Sequence, residues 1–94
     1  MHYFQFNISD WLAGTSHLSN EEELCYFRLI MEYYDTEKPL DSDIKKLSRR
    51  VRCRGQEDVL KIILDEFFLE TKRGWVNSRC DKEIKAYKAK AFRS

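Results

Sequence analysis

Apolar side chains recur at helical spacing in four separate stretches of this chain, and local start and stop signals bracket them. A fold built from these stretches must be mainly helical. Ser19-Asn20-Glu21-Glu22 has the S-x-x-E spacing of a capping box. The acids that follow suit the positive end of a helix dipole. Leu24, Phe27, Ile30, Met31 and Tyr34 then make one stripe, expected to face the core, with Glu22, Glu23 and Glu32 exposed. Asp41-Ser42-Asp43 offers an N-cap to a short helix carrying Ile44, Leu47 and Val51. A third helix fits residues 56–68, with Val59, Leu60, Ile63, Leu64 and Phe67 inward and Ile62 near the edge. The last begins near residue 81, with Ile84, Tyr87, Ala91 and Phe92 on one side and Lys82, Lys85, Lys88 and Lys90 on others.

Two stretches depart from that period. Tyr3-Phe4-Gln5-Phe6-Asn7-Ile8 alternates in part and is rich in aromatics, which predicts a short strand. Asp10-Trp11-Leu12 then leads to a turn at Gly14. Phe68-Leu69-Glu70-Thr71 and Trp75-Val76-Asn77-Ser78 flank Lys72-Arg73-Gly74, a β-hairpin with a basic turn, in which Trp75 is expected to be buried. Three glycines and one proline are too few for an all-β sandwich. Ninety-four residues make one domain, residues 1–94. The expected order is strand, three helices, hairpin, helix. That is a mainly α fold of winged-helix type, a helix-turn-helix variant with an N-terminal strand and a C-terminal helix.

Charge is unevenly spread. Residues 1–37 hold seven acids and one basic residue, Arg28, whereas residues 38–94 hold sixteen basic and nine acidic residues. Such asymmetry points to an acidic partner for the second part, or to pairing between the halves. Lys45, Lys46, Arg49, Arg50, Arg52 and Arg54 put six cations within ten residues, and Lys72 and Arg73 add the hairpin tip. Clusters of this kind neutralise phosphates and release counterions. Yet Glu57, Asp58, Asp65 and Glu66 line the third helix, where a major-groove reader carries Arg, Lys, Asn or Gln. Only Gln56 fits base readout there.

No catalytic set is evident, so the chain is expected not to be an enzyme. His2 and His17 lack metal-ligand spacing, and no phosphate-binding loop, dinucleotide fingerprint or nucleophile elbow occurs. Neither a metal nor a cofactor is expected. Cys25, Cys53 and Cys80 form no CxxC pair and are odd in number, which argues for thiols in a reducing cytoplasm and against a disulfide framework. No apolar run is long enough for a membrane span.

His2-Tyr3-Phe4-Gln5-Phe6-Asn7, Asp10-Trp11, His17-Leu18-Ser19, Tyr26-Phe27-Arg28-Leu29-Ile30 with Tyr33-Tyr34, Lys38-Pro39-Leu40, Phe67-Phe68, Gly74-Trp75 and Cys80-Asp81-Lys82-Glu83-Ile84 together resemble the YdaU-like family of phage and prophage proteins. The resemblance spans nearly all of residues 2–87. It implies a winged-helix domain of unknown function encoded near phage replication genes, similar to replisome-organiser and primosomal domains, working in the cytoplasm of a bacterial host. Family members are usually longer, so this chain is a minimal version or a cut-out domain, and its run at 49–54 is unusually basic. No catalytic residues carry over. Two functional expectations follow. In the first, Lys45, Lys46, Arg49, Arg50, Arg52, Arg54, Lys72 and Arg73 bind DNA or RNA phosphates non-specifically, or dock on a replication protein. In the alternative, the domain is a protein-interaction module or an inhibitor of a host complex, an anti-defence or anti-CRISPR protein for example. It then uses Glu22, Glu23 and Glu32 and binds no DNA.

Overall fold

A computed structural model describes residues 1–93, with side chains through residue 91. Five helices and one hairpin follow in the order α1 (Ile8–Thr15), α2 (Asn20–Thr36), α3 (Ile44–Arg50), α4 (Glu57–Phe67), β1 (Leu69–Thr71), β2 (Gly74–Val76) and α5 (Ser78–Arg93). The caps explain where the helices begin. Ser19 accepts from the Glu22 N–H, and the Glu22 carboxylate accepts from the Ser19 N–H, closing the expected capping box. Asp43 caps α3 through the Lys46 N–H. The Asn77 side chain accepts from the Cys80 N–H at 2.9 Å and starts α5 a turn earlier than the sequence suggests. Phe92, placed on the inner side of this helix from sequence, has its side chain outside the described residues.

The N-terminal strand is not there. Residues 1–7 form neither strand nor helix, and the Asn7 side chain accepts from the Asp10 N–H at 3.0 Å to cap α1. Asp10, Trp11, Leu12 and Gly14 are therefore helical. Three alternating positions among so many aromatics mimic a strand, but these residues join no sheet. Their rings instead pack on α2: Phe4 stacks on Tyr34 at 4.5 Å, and Phe6 meets Phe27 edge-on at 6.2 Å.

The central helix is α2. Cys25, Leu29, Ile30, Tyr33 and Tyr34 are its buried residues, packed in one core with Leu47, Val51, Cys53, Leu60, Ile63, Leu64, Phe68, Trp75, Cys80 and Ile84. The inward stripe is thus rotated from the one expected. Leu24 and Met31 are exposed and Phe27 only half-buried. Nearly the whole circumference of α2 is apolar, so periodicity allows either register, and packing against α4 and α5 selects 25/29/33.

In the hairpin Leu69 faces Val76, Glu70 faces Trp75 and Thr71 faces Gly74. Trp75 is 3% exposed, as expected. Its backbone also pairs with Leu40, from the α2–α3 connection, as an antiparallel bridge with N···O distances of 2.8 and 2.9 Å. Lys61 of α4 lies 4.9 Å above its ring. Tyr33 ties the hairpin and α5 to α2 by donating to Asp81 at 2.5 Å and accepting from the Asn77 N–H at 3.3 Å. Among the described residues, no helix is long and apolar enough to cross a membrane.

Candidate nucleic-acid interface

Helix α3 ends in Arg49 and Arg50, and Val51, Cys53 and Leu47 bury its underside. The chain then reverses within a few residues. Arg52 takes a left-handed conformation (φ 60°), Gly55 another (φ 77°), and the Cys53 N–H donates to the Ser48 carbonyl at 2.7 Å. Burial of Val51 and Cys53 forces the alternate residues Arg52 and Arg54 outward. Lys45, Lys46, Arg49, Arg50, Arg52 and Arg54 are all exposed, so the cations run from the first turn of α3 to the turn that follows it.

Within that set only Arg50 is held in an ion pair among the described residues, with Glu32 of α2. The hydrogen bond and charge of Glu32 raise the Arg50 pKa further. Sequence reasoning missed Arg28, although its being the lone cation in the acidic part of the chain was a signal. Its guanidinium donates to the Arg52 carbonyl at 2.7 Å and so braces the left-handed turn from α2. Beneath it the Cys25 and Cys53 thiols lie in contact, Sγ to Sγ 3.4 Å. Burial pushes the Cys25 thiol up to about 12, with the neighbouring Cys53 adding to the effect.

Lys72 and Arg73 are exposed at the hairpin tip, but their neighbours are different. They border a hollow of about 480 Å³ with Tyr33, Glu37, Pro39 and Asp81, at the far end of α2 from the turn. Glu37 there pairs with Lys88 of α5 at 3.0 Å and with the Met1 amine at 2.8 Å. These two cations hold its carboxyl below the usual range, mainly through their hydrogen bonds. Among the described residues, no hydrogen bond or ion pair joins the tip to the 49–54 turn. On α5, Lys82, Lys85 and Lys90 are exposed as further cations that the sequence reading left out of the site.

The acids assigned to the alternative site are already engaged. Glu22 closes the capping box, Glu23 accepts from the Trp11 indole at 2.8 Å, and Glu32 holds Arg50. All three are half-buried rather than exposed, because α1 and α3 pack beside them. On α4, Asp58, Asp65 and Glu66 are exposed, with Lys61 bound to Asp65 at 2.9 Å and His17 to Glu66 at 2.6 Å. The outward face of this helix is therefore acidic. Among the described residues, no group of three or more His, Cys, Asp or Glu side chains is placed to hold a metal ion.

The architecture defines a class first: a mainly helical domain with one antiparallel hairpin and no cluster resembling a metal centre among its described residues. Residues 2–85 match the family described as "Protein of unknown function (DUF1376)", and the chain belongs to that family. It is 33% identical over 89 residues to the "Uncharacterized protein YdaU" of Escherichia coli strain K12, an alignment that covers 94% of this chain and 30% of that protein. The chain thus spans about a third of the length of the curated relative it matches. No solved structure matches it.

Proposed function

We propose that this is a winged-helix domain of a phage or prophage replication protein that binds nucleic-acid phosphates without reading sequence. Helix α2, the Leu40 bridge, α3, α4 and the hairpin follow the order of helix, short strand, two helices and wing, with Leu40 in the place of the first strand. The observation that carries the function is the basic turn. Lys45, Lys46, Arg49, Arg52 and Arg54 are exposed and hold no ion pair among the described residues. Internal pairing, the bland explanation for such a cluster, accounts for Arg50 alone. The acidic outer face of α4 repels a phosphate backbone, which removes the usual means of base readout. Affinity then comes from phosphate contacts only. Docking on an acidic surface of a replication protein uses the same cations.

Fluorescence anisotropy with labelled duplex and single-stranded DNA tests this reading. With about five phosphate contacts, log affinity falls against log salt with a slope of about −4 to −5 on duplex. Arg49→Ala, Arg52→Ala and Arg54→Ala together flatten it by about three units, and several unrelated sequences bind equally. Arg50 is left in place because it anchors α3 to Glu32. Absence of binding at low salt refutes the nucleic-acid reading and leaves the basic turn to an acidic protein partner.

A further inference from the structure

Part of the stripe that sequence periodicity assigns to the core faces solvent instead: Ile30 and Tyr34 are buried as expected, but Leu24 and Met31 are not. On α2, Leu24 is 49% and Met31 37% exposed, with half-buried Phe27 between them. Their spacing is that of an a/d seam, the pattern by which one helix receives another. Phe6, 45% exposed and edge-on to Phe27 at 6.2 Å, carries the surface across to α1. There Ile8 (67%) and Leu12 (63%) stand one turn apart. Asp10, on the other side of α1, pairs with Arg79 of α5 at 2.8 Å. Single exposed apolar residues need no explanation. Five exposed ones with half-buried Phe27 among them, running from α2 across the N-terminal segment to α1, mark an interaction surface.

Charge selects what covers it. Helix α2 carries five acids and one arginine. Glu21 and Asp35 are exposed on its edge and hold no ion pair among the described residues. Arg28 is turned to the Arg52 carbonyl, and Glu23 accepts from the Trp11 indole. We infer that this face docks an amphipathic helix of a partner protein, one whose apolar stripe is flanked by Lys or Arg. An anionic membrane and nucleic acid are both repelled by the acidic margin. A second copy presenting the same face sets acid against acid. Its basic α5 has Cys80 and Ile84 already buried in its own fold. The proposal does not rest on the nucleic-acid reading and uses different residues, although Glu32 and Arg28 of the same helix hold the basic turn beside them.

The test is anisotropy of the 94-residue chain with three labelled peptides: an amphipathic Leu/Lys helix, its Leu/Glu counterpart, and a scrambled Leu/Lys peptide. The first binds, and the other two bind at least about tenfold more weakly. Leu24→Gln with Met31→Gln weakens the first peptide at least about tenfold, as does Glu21→Lys with Asp35→Lys. Both pairs leave the melting transition nearly unchanged, since the sites are exposed. The apolar pair also leaves the DNA salt slope unchanged. Equal binding of the three peptides, or no loss in either variant, overturns the proposal. So does a dimer in sedimentation that Leu24→Gln with Met31→Gln dissolves, or capture by phosphatidylglycerol vesicles that these two residues control.

Discussion

Replacing Gly74 by alanine is expected to detach the hairpin from the α2–α3 connection. Gly74 sits at φ 124°, and an added Cβ would lie 2.1 Å from the Leu40 carbonyl oxygen and 3.3 Å from Pro39 Cβ. That oxygen is backbone, and it accepts from the Trp75 N–H at 2.9 Å while the Leu40 N–H donates to the Trp75 carbonyl at 2.8 Å. It cannot step aside without breaking both bonds. Holding a non-glycine residue in this backbone region costs about 1–3 kcal/mol. Each lost bond adds about 0.5–1.5 kcal/mol, giving about 2–6 kcal/mol in all. The other two glycines calibrate the figure. Gly55 has φ 77° but nothing within 4 Å of its Cβ position, so Gly55→Ala loses only the left-handed penalty, about 1–2 kcal/mol. Gly14 lies inside α1 with nothing within 4 Å, so Gly14→Ala stabilises by about 0.5–1 kcal/mol. Urea unfolding followed by tryptophan fluorescence and circular dichroism reads all three. In a domain of this size each kcal/mol moves Tm by about 4–8 °C. If Gly74→Ala is no less stable than Gly55→Ala, the close approach to Leu40 is not what demands glycine there.

Burial pushes the phenols of Tyr26 and Tyr33 up to about 12, with the Asp81 hydrogen bond adding to it at Tyr33. A raised folded value means that their stabilising contribution is complete below the unfolded value of about 10 and is lost as pH rises from there to about 12. Tyrosinate absorbance from these two residues is therefore expected to appear together with loss of helical signal, and ionisation of either with the fold intact at about pH 10 contradicts this. Cys25, Cys53 and Cys80 are all buried thiols, so a thiol reagent is expected to find none in the native domain and three after denaturation. Fast labelling of the native protein, or fewer than three thiols in denaturant, argues against their packing.

The starts of α2 and α3 were legible because they depend on neighbours a few residues away. Ser19 with Glu22, and Asp43 with Lys46, satisfy N–H groups that no other part of the chain can reach. Glycine before Trp75 marked the hairpin for a similar reason, although the close approach of Leu40 adds to the demand of its positive φ. Exposure of all eight basic residues followed from their solvation. The bracing of the turn by Arg28 was not legible, since it joins residues 24 positions apart.

The sequence by itself determined that four amphipathic stretches become helices, that a hairpin at 68–78 lies between the third and the fourth, and that six basic residues lie along α3 and the turn after it. Those features rest on local hydrogen bonds and on the cost of burying charge. Tertiary structure alone decided the rest. Residues 1–7 form no strand, and their aromatic rings pack on α2 instead. On α2 apolar side chains run nearly all the way round, so the pattern left the inward face undetermined. The facing core of α4 and α5 turned Leu29 and Tyr33 inward and left Leu24 and Met31 in water. Which apolar stripe is core and which is surface is set by what packs against it, and that information lies in other segments of the chain.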